Sequence, residues 1–182
     1  MPSHLHLAYR RNAQAAAKNH RVRKNKDEHL LEKARDEFGF FCEYVADKPP
    51  AKHHKEWNKQ LVTNENSSCL LKIAGPNIDL LGPRGSAKST VLGLFTAWAI
   101  GIHTAAKKPL QILYLSYTVD IARSKSATIK RIIESKRYQE VFPTVKLLKN
   151  VTSNEYWSID HKFAGIDTTG EEQFTLCAAG LK

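Results

Sequence analysis

The sequence predicts an α/β domain. Three observations carry this. Short apolar runs alternate with longer helical patterns from about residue 70 onward, one of those runs ends at a glycine turn, and the segment after the turn is apolar on nearly every side. Strand, helix, strand, helix, strand in that order argues for a mostly parallel sheet with helices on both faces, a three-layer arrangement. A basic arm, helical or disordered, is expected in front of it.

The arm covers 1–26. It holds Arg10, Arg11, Lys18, Arg21, Arg23, Lys24 and Lys26 and no acidic residue, with a small island at Ala15, Ala16 and Ala17. The chain of 182 residues carries 28 Lys and Arg against 18 Asp and Glu, a net charge of +10. Without the arm the balance is 21 against 18, so most of the excess is local. A solvated tail and an arm that meets a nucleic acid both fit such a charge run. The remaining 27–182 read as one domain.

Each element then has its own signal. Leu30, Ala34, Phe38, Phe41, Cys42 and Val45 recur at three and four residues, the spacing of one helix face, and Pro49 and Pro50 end it. A second short helix is expected over Lys55 to Val62, followed by a loop from Asn64 to Ser68. Leu70 to Ile73 and Ile78 to Leu81 are short apolar runs, the second read as a buried strand. Ser89 to Ile102 is a helix to be packed between layers. Leu110 to Ser116 is a further buried strand. Val119 to Ser135 is an amphipathic helix, with Ile121, Ala122, Ala127, Ile129, Ile132 and Ile133 inward. Two late strands are expected, over Tyr156 to Ile159 and Gln173 to Ala178.

Composition removes several classes of protein. Cys42, Cys69 and Cys177 are odd in number and far apart, so neither a disulfide framework nor a CxxC metal pair is available, which suits a reducing cytoplasmic setting. No apolar run reaches the ~18 residues of a membrane span, and the basic N-terminus lacks the apolar stretch of a signal peptide.

The chemistry is concentrated at Gly82-Pro83-Arg84-Gly85-Ser86-Ala87-Lys88-Ser89-Thr90. The phosphate-binding P-loop has the pattern GxxxxGK[ST], and here Gly82, Lys88 and Ser89 match while Ala87 replaces the second glycine. Glycines let backbone N–H groups turn toward phosphate oxygens, and the following helix adds free N–H donors at the positive end of its dipole. Lys88 is expected to reach the β- and γ-phosphates of ATP, and the Ser89 hydroxyl to ligate Mg²⁺, with Thr90 behind it. Arg84 is either a transition-state or sensor arginine near the γ-phosphate or a surface arginine held by an acidic neighbour.

PRGSAKST after an apolar strand resembles the ATPase motif of the large terminase subunit, the motor that packages DNA into capsids of tailed phages and herpesviruses. Pro50-Ala51-Lys52-His53-His54-Lys55-Glu56-Trp57 is similar to a segment that precedes the loop in that family. Ile112-Leu113-Tyr114-Leu115-Ser116-Tyr117-Thr118 with the basic helix beyond it is similar to the family's next strand and helix. Thr175 to Leu181 resembles the strand before the family's acidic Walker B motif. The resemblance covers about 38–182.

It implies a P-loop ATPase domain that powers movement of viral double-stranded DNA into a procapsid. It implies as partners a small terminase subunit and a portal ring, and a ring of identical subunits in the host cytoplasm. It favours a functional Arg84, and it sets His54 and Trp57 near the adenine or at the hinge of the site, against a plainer reading of Trp57 as core and His53 and His54 as surface. The Ser116-Tyr117-Thr118 turn is open between coupling nucleotide state to DNA and capping a helix through Thr118. Arg123, Lys125, Lys130, Arg131, Lys136 and Arg137 are either a DNA face or a solvated helix side.

No run of apolar residues ending in two carboxylates is present. Asp160 is the nearest candidate and reads better as a strand end, and Glu171-Glu172 follows a turn. The family's Walker B strand and nuclease domain would lie past Lys182, so the expectation is a piece that binds ATP without efficient hydrolysis and without nuclease activity. Two other readings remain: a helicase-like DNA-stimulated ATPase, and a non-catalytic nucleic-acid-binding protein with a degenerate P-loop.

Overall fold

The structure, a computed structural model, describes residues 27–62, 80–149, 153–167 and 174–182. The chain enters through helical backbone over 27–36 (α1) and continues as α2, Phe38–Ala46. The sequence pattern suggested one helix here. Glu37 breaks it, because its backbone is extended, with φ −114° and ψ 107°. The apolar face survives the break, since Ala34, Phe38, Phe41 and Cys42 are all buried. α2 stops at Asp47, whose φ of 56° is left-handed, and the two prolines beyond it cannot restart a helix. α3 is Lys52–Leu61 and α4 is Lys88–Ala105.

An aromatic core joins these helices. Phe38 meets Trp98 at 5.3 Å between ring centroids, and Phe41 meets Tyr138 at 6.0 Å. The polar ends of the large rings are satisfied as burial requires. Trp98 Nε1 donates to the carbonyls of Ala34 and Arg35 at 3.2 and 3.1 Å, and the Tyr138 hydroxyl donates to Ala97 O at 2.8 Å. Gly101 is needed for this packing, because a Cβ there would lie 2.4 Å from the Phe142 ring.

The sheet has three strands in the order β1-β3-β2, with β1 Ile112–Ser116, β2 Tyr156–Trp157 and β3 Leu176–Gly180. β1 and β3 are parallel, with Ile112 opposite Leu176 and Ser116 opposite Gly180. The crossover between β1 and β2 begins with α5, Val119–Glu134, and α6, Lys136–Val141. α5 packs on β1 and β3, and α4 packs on α5 and α2. β2 pairs antiparallel to β3. Buried Thr175 ties the edges together: its carbonyl accepts from Ile112 N and its hydroxyl accepts from Ile159 N, both at 3.0 Å. A short α7, His161–Ala164, follows β2.

The α/β class therefore holds. The described sheet is smaller than expected and mixed, where a mostly parallel one was expected. β1 was expected to be buried on both faces. It alternates instead, with Leu113 61% and Leu115 53% exposed, since α5 covers one face of it. Ile121 was expected inward and is 45% exposed, one position short of the buried stripe of Ala122, Ser126, Ile129 and Ile133. The late strands are shorter or shifted: only Tyr156 and Trp157 pair in the first, with Ile159 reduced to a single bridge to Leu147, and the second runs from Leu176 to Gly180.

The arm at 1–26, the loop at 64–68, the run at 70–73 and Glu171-Glu172 lie outside the described residues, as do Ile78 and Asp79. Leu80 and Leu81 are described and carry no strand, and Leu81 is 84% exposed.

Candidate functional site

The candidate site forms where α3 meets the loop between Gly82 and Lys88. Helical spacing fixes what α3 presents. Trp57, Asn58 and Leu61 are buried on its inner face, and His53 and His54 lie one turn earlier on the same side. The three rings cluster, with His53 5.1 Å and His54 5.6 Å from Trp57 between centroids.

The loop closes on itself and then on this cluster. Ser86 donates twice to Pro83 O, from its N–H at 3.3 Å and from its hydroxyl at 2.8 Å, which makes a tight turn over 83–86. Gly85 has φ +83°, a conformation open to glycine at no steric cost. Gly82 is hemmed in, since a Cβ there would come within 3.0 Å of both the Trp57 ring and Ser86 Oγ. Trp57 thus backs the loop directly. At 8% exposure it offers little free ring surface for stacking a base.

Both histidines bond to the loop through one atom. His54 Nε2 lies 3.0 Å and His53 Nε2 3.3 Å from Ser86 O. A carbonyl only accepts, so both nitrogens carry the proton. His54 Nδ1 in turn accepts from the Ala51 N–H at 3.3 Å, which fixes the neutral Nε2–H tautomer of that ring.

α4 starts without the usual device. The N-cap residue is Ala87, in a left-handed conformation with φ 58° and ψ 23°, and no side chain caps the first turn. A left-handed alanine costs roughly 1 kcal/mol. This is the position at which the P-loop pattern has its second glycine. The replacement therefore falls where the missing Cβ would have mattered most. α5, α6 and α7 are each capped by an oxygen, from Thr118, Ser135 and Asp160, that accepts from the first turn. The first N–H groups of any helix have no partner within it. At α4 the Thr90 N–H turns back to the Ala87 carbonyl at 2.9 Å, and no side chain among the described residues accepts from Lys88 or Ser89.

Lys88, the first residue of α4, reaches back across the loop and donates from Nζ to Gly82 O at 2.5 Å. Ser89 and Thr90 follow, both exposed. Arg84 is exposed at the tip of the turn and makes no hydrogen bond or ion pair with any described residue. Pro83, Arg84, Gly85 and Ser86 thus form the loop's outer arch, with Gly82 and Lys88 at its two feet.

Several other candidates have structural roles. The Thr118 hydroxyl accepts from Ile121 N at 3.4 Å and caps α5. Asp160 accepts from Phe163 N at 2.9 Å and caps α7. Among the described residues, no group of three or more His, Cys, Asp and Glu side chains could hold a metal ion. Much of the basic side of α5 and α6 is engaged within the chain. Arg123 pairs with Asp120 and Glu155, and Arg137 with Asp47 and the Tyr44 carbonyl. Lys130 donates to Ser153 O, and Arg131 to Ala127 O and Thr128 Oγ1.

The sequence reading missed two features of the site. The second histidine, His53, shares the Ser86 carbonyl, although its place beside His54 at one helical turn from Trp57 was a readable signal. Asn58 is 7% exposed, and neither atom of its side-chain amide has a hydrogen-bond partner among the described residues. A polar residue between Trp57 and Leu61 gave no hint of that.

No family model, no curated protein and no solved structure matches this chain. No helix among the described residues is long and apolar enough to cross a membrane.

Proposed function

We propose that the loop Gly82–Thr90 binds the phosphates of ATP, and that the chain is the ATP-binding part of a motor of the large-terminase kind, which drives double-stranded DNA into a procapsid. One observation carries this reading. The 18-residue helix α4 begins uncapped, directly after a tight glycine turn, with Lys88 folded over the loop toward Gly82. A triphosphate satisfies all three features. Its oxygens accept from the uncapped N–H groups, its charge suits the positive end of the helix, and it can take the Lys88 ammonium from the Gly82 carbonyl.

The residues present also suit the metal that accompanies ATP. Ser89, on the first turn of α4, would offer its hydroxyl to Mg²⁺, which when bound neutralises phosphate charge. Arg84 is free to meet the γ-phosphate, because no acidic neighbour among the described residues engages it. His54 and Trp57 act through the loop they support. The motor reading rests further on the order of segments around the loop: the His–His–Trp helix before it, and the strand and capped basic helix after it.

The test is thermal stability of the 182-residue chain with and without Mg·ATPγS, beside Lys88→Ala. A ligand that binds only the folded state stabilises by about 2.7 kcal/mol at a hundredfold excess over its Kd. The expected result is a raised midpoint in the parent and none in Lys88→Ala. No rise in the parent would overturn the phosphate-site reading and leave the non-catalytic alternative. DNA-stimulated hydrolysis of ATP would then separate packaging and helicase-like motors from simple nucleotide binding.

A further inference from the structure

We propose that His54 is a positioning residue for the loop: it pins the peptide between Ser86 and Ala87, and so holds Ala87 in the left-handed conformation that the uncapped start of α4 requires. Only the effect on nucleotide affinity rests on the phosphate-binding reading.

The peptide unit is planar and trans, so its C=O and N–H point in opposite directions. Two donors from α3, His54 Nε2 at 3.0 Å and His53 Nε2 at 3.3 Å, hold the Ser86 carbonyl toward that helix. The Ala87 N–H on the same peptide is thereby aimed away from α3. Ala87 sits at φ +58°, where an alanine is strained. A flip of this one peptide would carry that φ into the extended range and relieve the strain. It would also reverse the Ala87 N–H and disturb the first turn of α4. A glycine would have no such incentive to flip. The chain lacks the glycine and has the two histidines.

His54 suits the task better than His53. It is half-buried where His53 is exposed, and its bond to Ser86 is shorter. Its other nitrogen is occupied, since Nδ1 accepts from Ala51 N at the start of α3. The ring therefore cannot swap tautomers without losing that bond. It joins the N-terminus of α3 to the loop as one rigid link, and Trp57 behind Gly82 closes the other side.

The two nitrogens can be tested apart. In the full chain, His54→Asn keeps an acceptor near the Nδ1 position but cannot reach Ser86. His54→Gln keeps a donor near the Nε2 position but gives up the Ala51 bond. Amide hydrogen exchange without nucleotide reads both ends. His54→Asn is expected to speed exchange of the Ser86, Thr90 and Val91 amides, which bond to the Pro83 and Ala87 carbonyls, roughly three- to tenfold, the worth of one net hydrogen bond, with little change at Ala51. His54→Gln is expected to do the reverse. Adding Ala87→Gly to His54→Asn should restore slow exchange of those three amides, because glycine removes the incentive to flip.

The Kd for Mg·ATPγS should follow the loop, weaker by roughly three- to tenfold in His54→Asn alone and recovered in the double variant. Parental exchange of the Ser86, Thr90 and Val91 amides in His54→Asn, or no recovery with Ala87→Gly, would overturn the proposal. A parent that fails to bind nucleotide would overturn the phosphate-site reading, and the exchange data would still decide the role of His54.

Discussion

The starts of α4 and α5 show two treatments of the same physical problem. Both helices leave their first N–H groups without backbone partners. α5 solves this locally: Thr118 is extended, at φ −123° and ψ 153°, and its hydroxyl caps the first turn. α6 and α7 follow the same rule through Ser135 and Asp160. α4 is the longest of the four, at 18 residues, and begins at a strained alanine with no side-chain cap. Its neighbourhood still bonds tightly to itself, through Ser86 to Pro83, His54 to Ser86 and Lys88 to Gly82. None of those bonds satisfies the start of the helix. The difference teaches that the loop is organised to hold a shape, while the first turn of α4 finds no capping side chain among the described residues.

Filling the start of α4 should break the contrast most forcefully. Ala87→Asp puts a carboxylate at the positive end of the helix, in a left-handed conformation that aspartate tolerates better than alanine. Folding should gain about 0.3–1 kcal/mol from the dipole. Binding of Mg·ATPγS should weaken by about 3 kcal/mol, roughly a hundredfold, through repulsion between like charges a few ångströms apart. Urea denaturation and nucleotide titration on the same protein check both signs. A variant that is more stable and still binds nucleotide would mean that phosphates do not sit at the start of α4.

The capped helices give the opposite case, with a smaller effect. Ser135→Ala and Asp160→Ala each remove a capping oxygen and should cost about 1 kcal/mol of stability. Neither should alter the Kd for Mg·ATPγS once the folded fraction is taken into account. Asp160→Ala is the sharper of the two, because Asp160 is the carboxylate that sequence alone offered as the nearest candidate for a Walker B acid. Its bond to Phe163 N makes it a cap. A changed Mg²⁺ requirement in that variant would return it to the site.

These contrasts mark what the sequence could tell. Helices were legible because their signals are local: the apolar spacing of α5, the prolines after α2, the threonine before Val119. The glycine turn before α4 was legible because its pattern is short and its spacing rigid. Exposure of Leu113 and Leu115 was not, since a run such as LQILYLS looks alike whether one face or two are covered. The break at Glu37 was hidden because the apolar stripe runs through it unbroken. The loop's partners were harder still. Ala87 reads as a mild departure until its φ is known, and the bond from His54 to Ser86 spans 32 residues. Contacts of that kind follow from tertiary packing and leave no periodic trace.

The far end of α4 carries the smallest effect. A positive charge in the last turn of a helix is favoured by its dipole, and His103 stands there. Burial works the other way and dominates. It lowers the pKa of His103 below the ordinary 6.5, with Lys108 adding to the shift, and the buried Nδ1 has no hydrogen-bond partner among the described residues. The folded chain therefore holds His103 neutral at a pH where the unfolded chain would protonate it. The unfolded state binds more protons in that window, so stability rises with pH across it. The contribution is complete above 6.5 and is lost as pH falls from there toward the folded value. His161 adds a slope of the same sign, because burial lowers its pKa too, against an opposing pull from Asp160. Urea midpoints at about pH 7.5 and about pH 5.5, both above the usual carboxylate range, should differ in the parent. His103→Leu should narrow the gap without closing it, since His161 remains. An unchanged gap would mean that His103 is free to take up its proton in the folded chain, and that the dipole at the end of α4 outweighs burial after all.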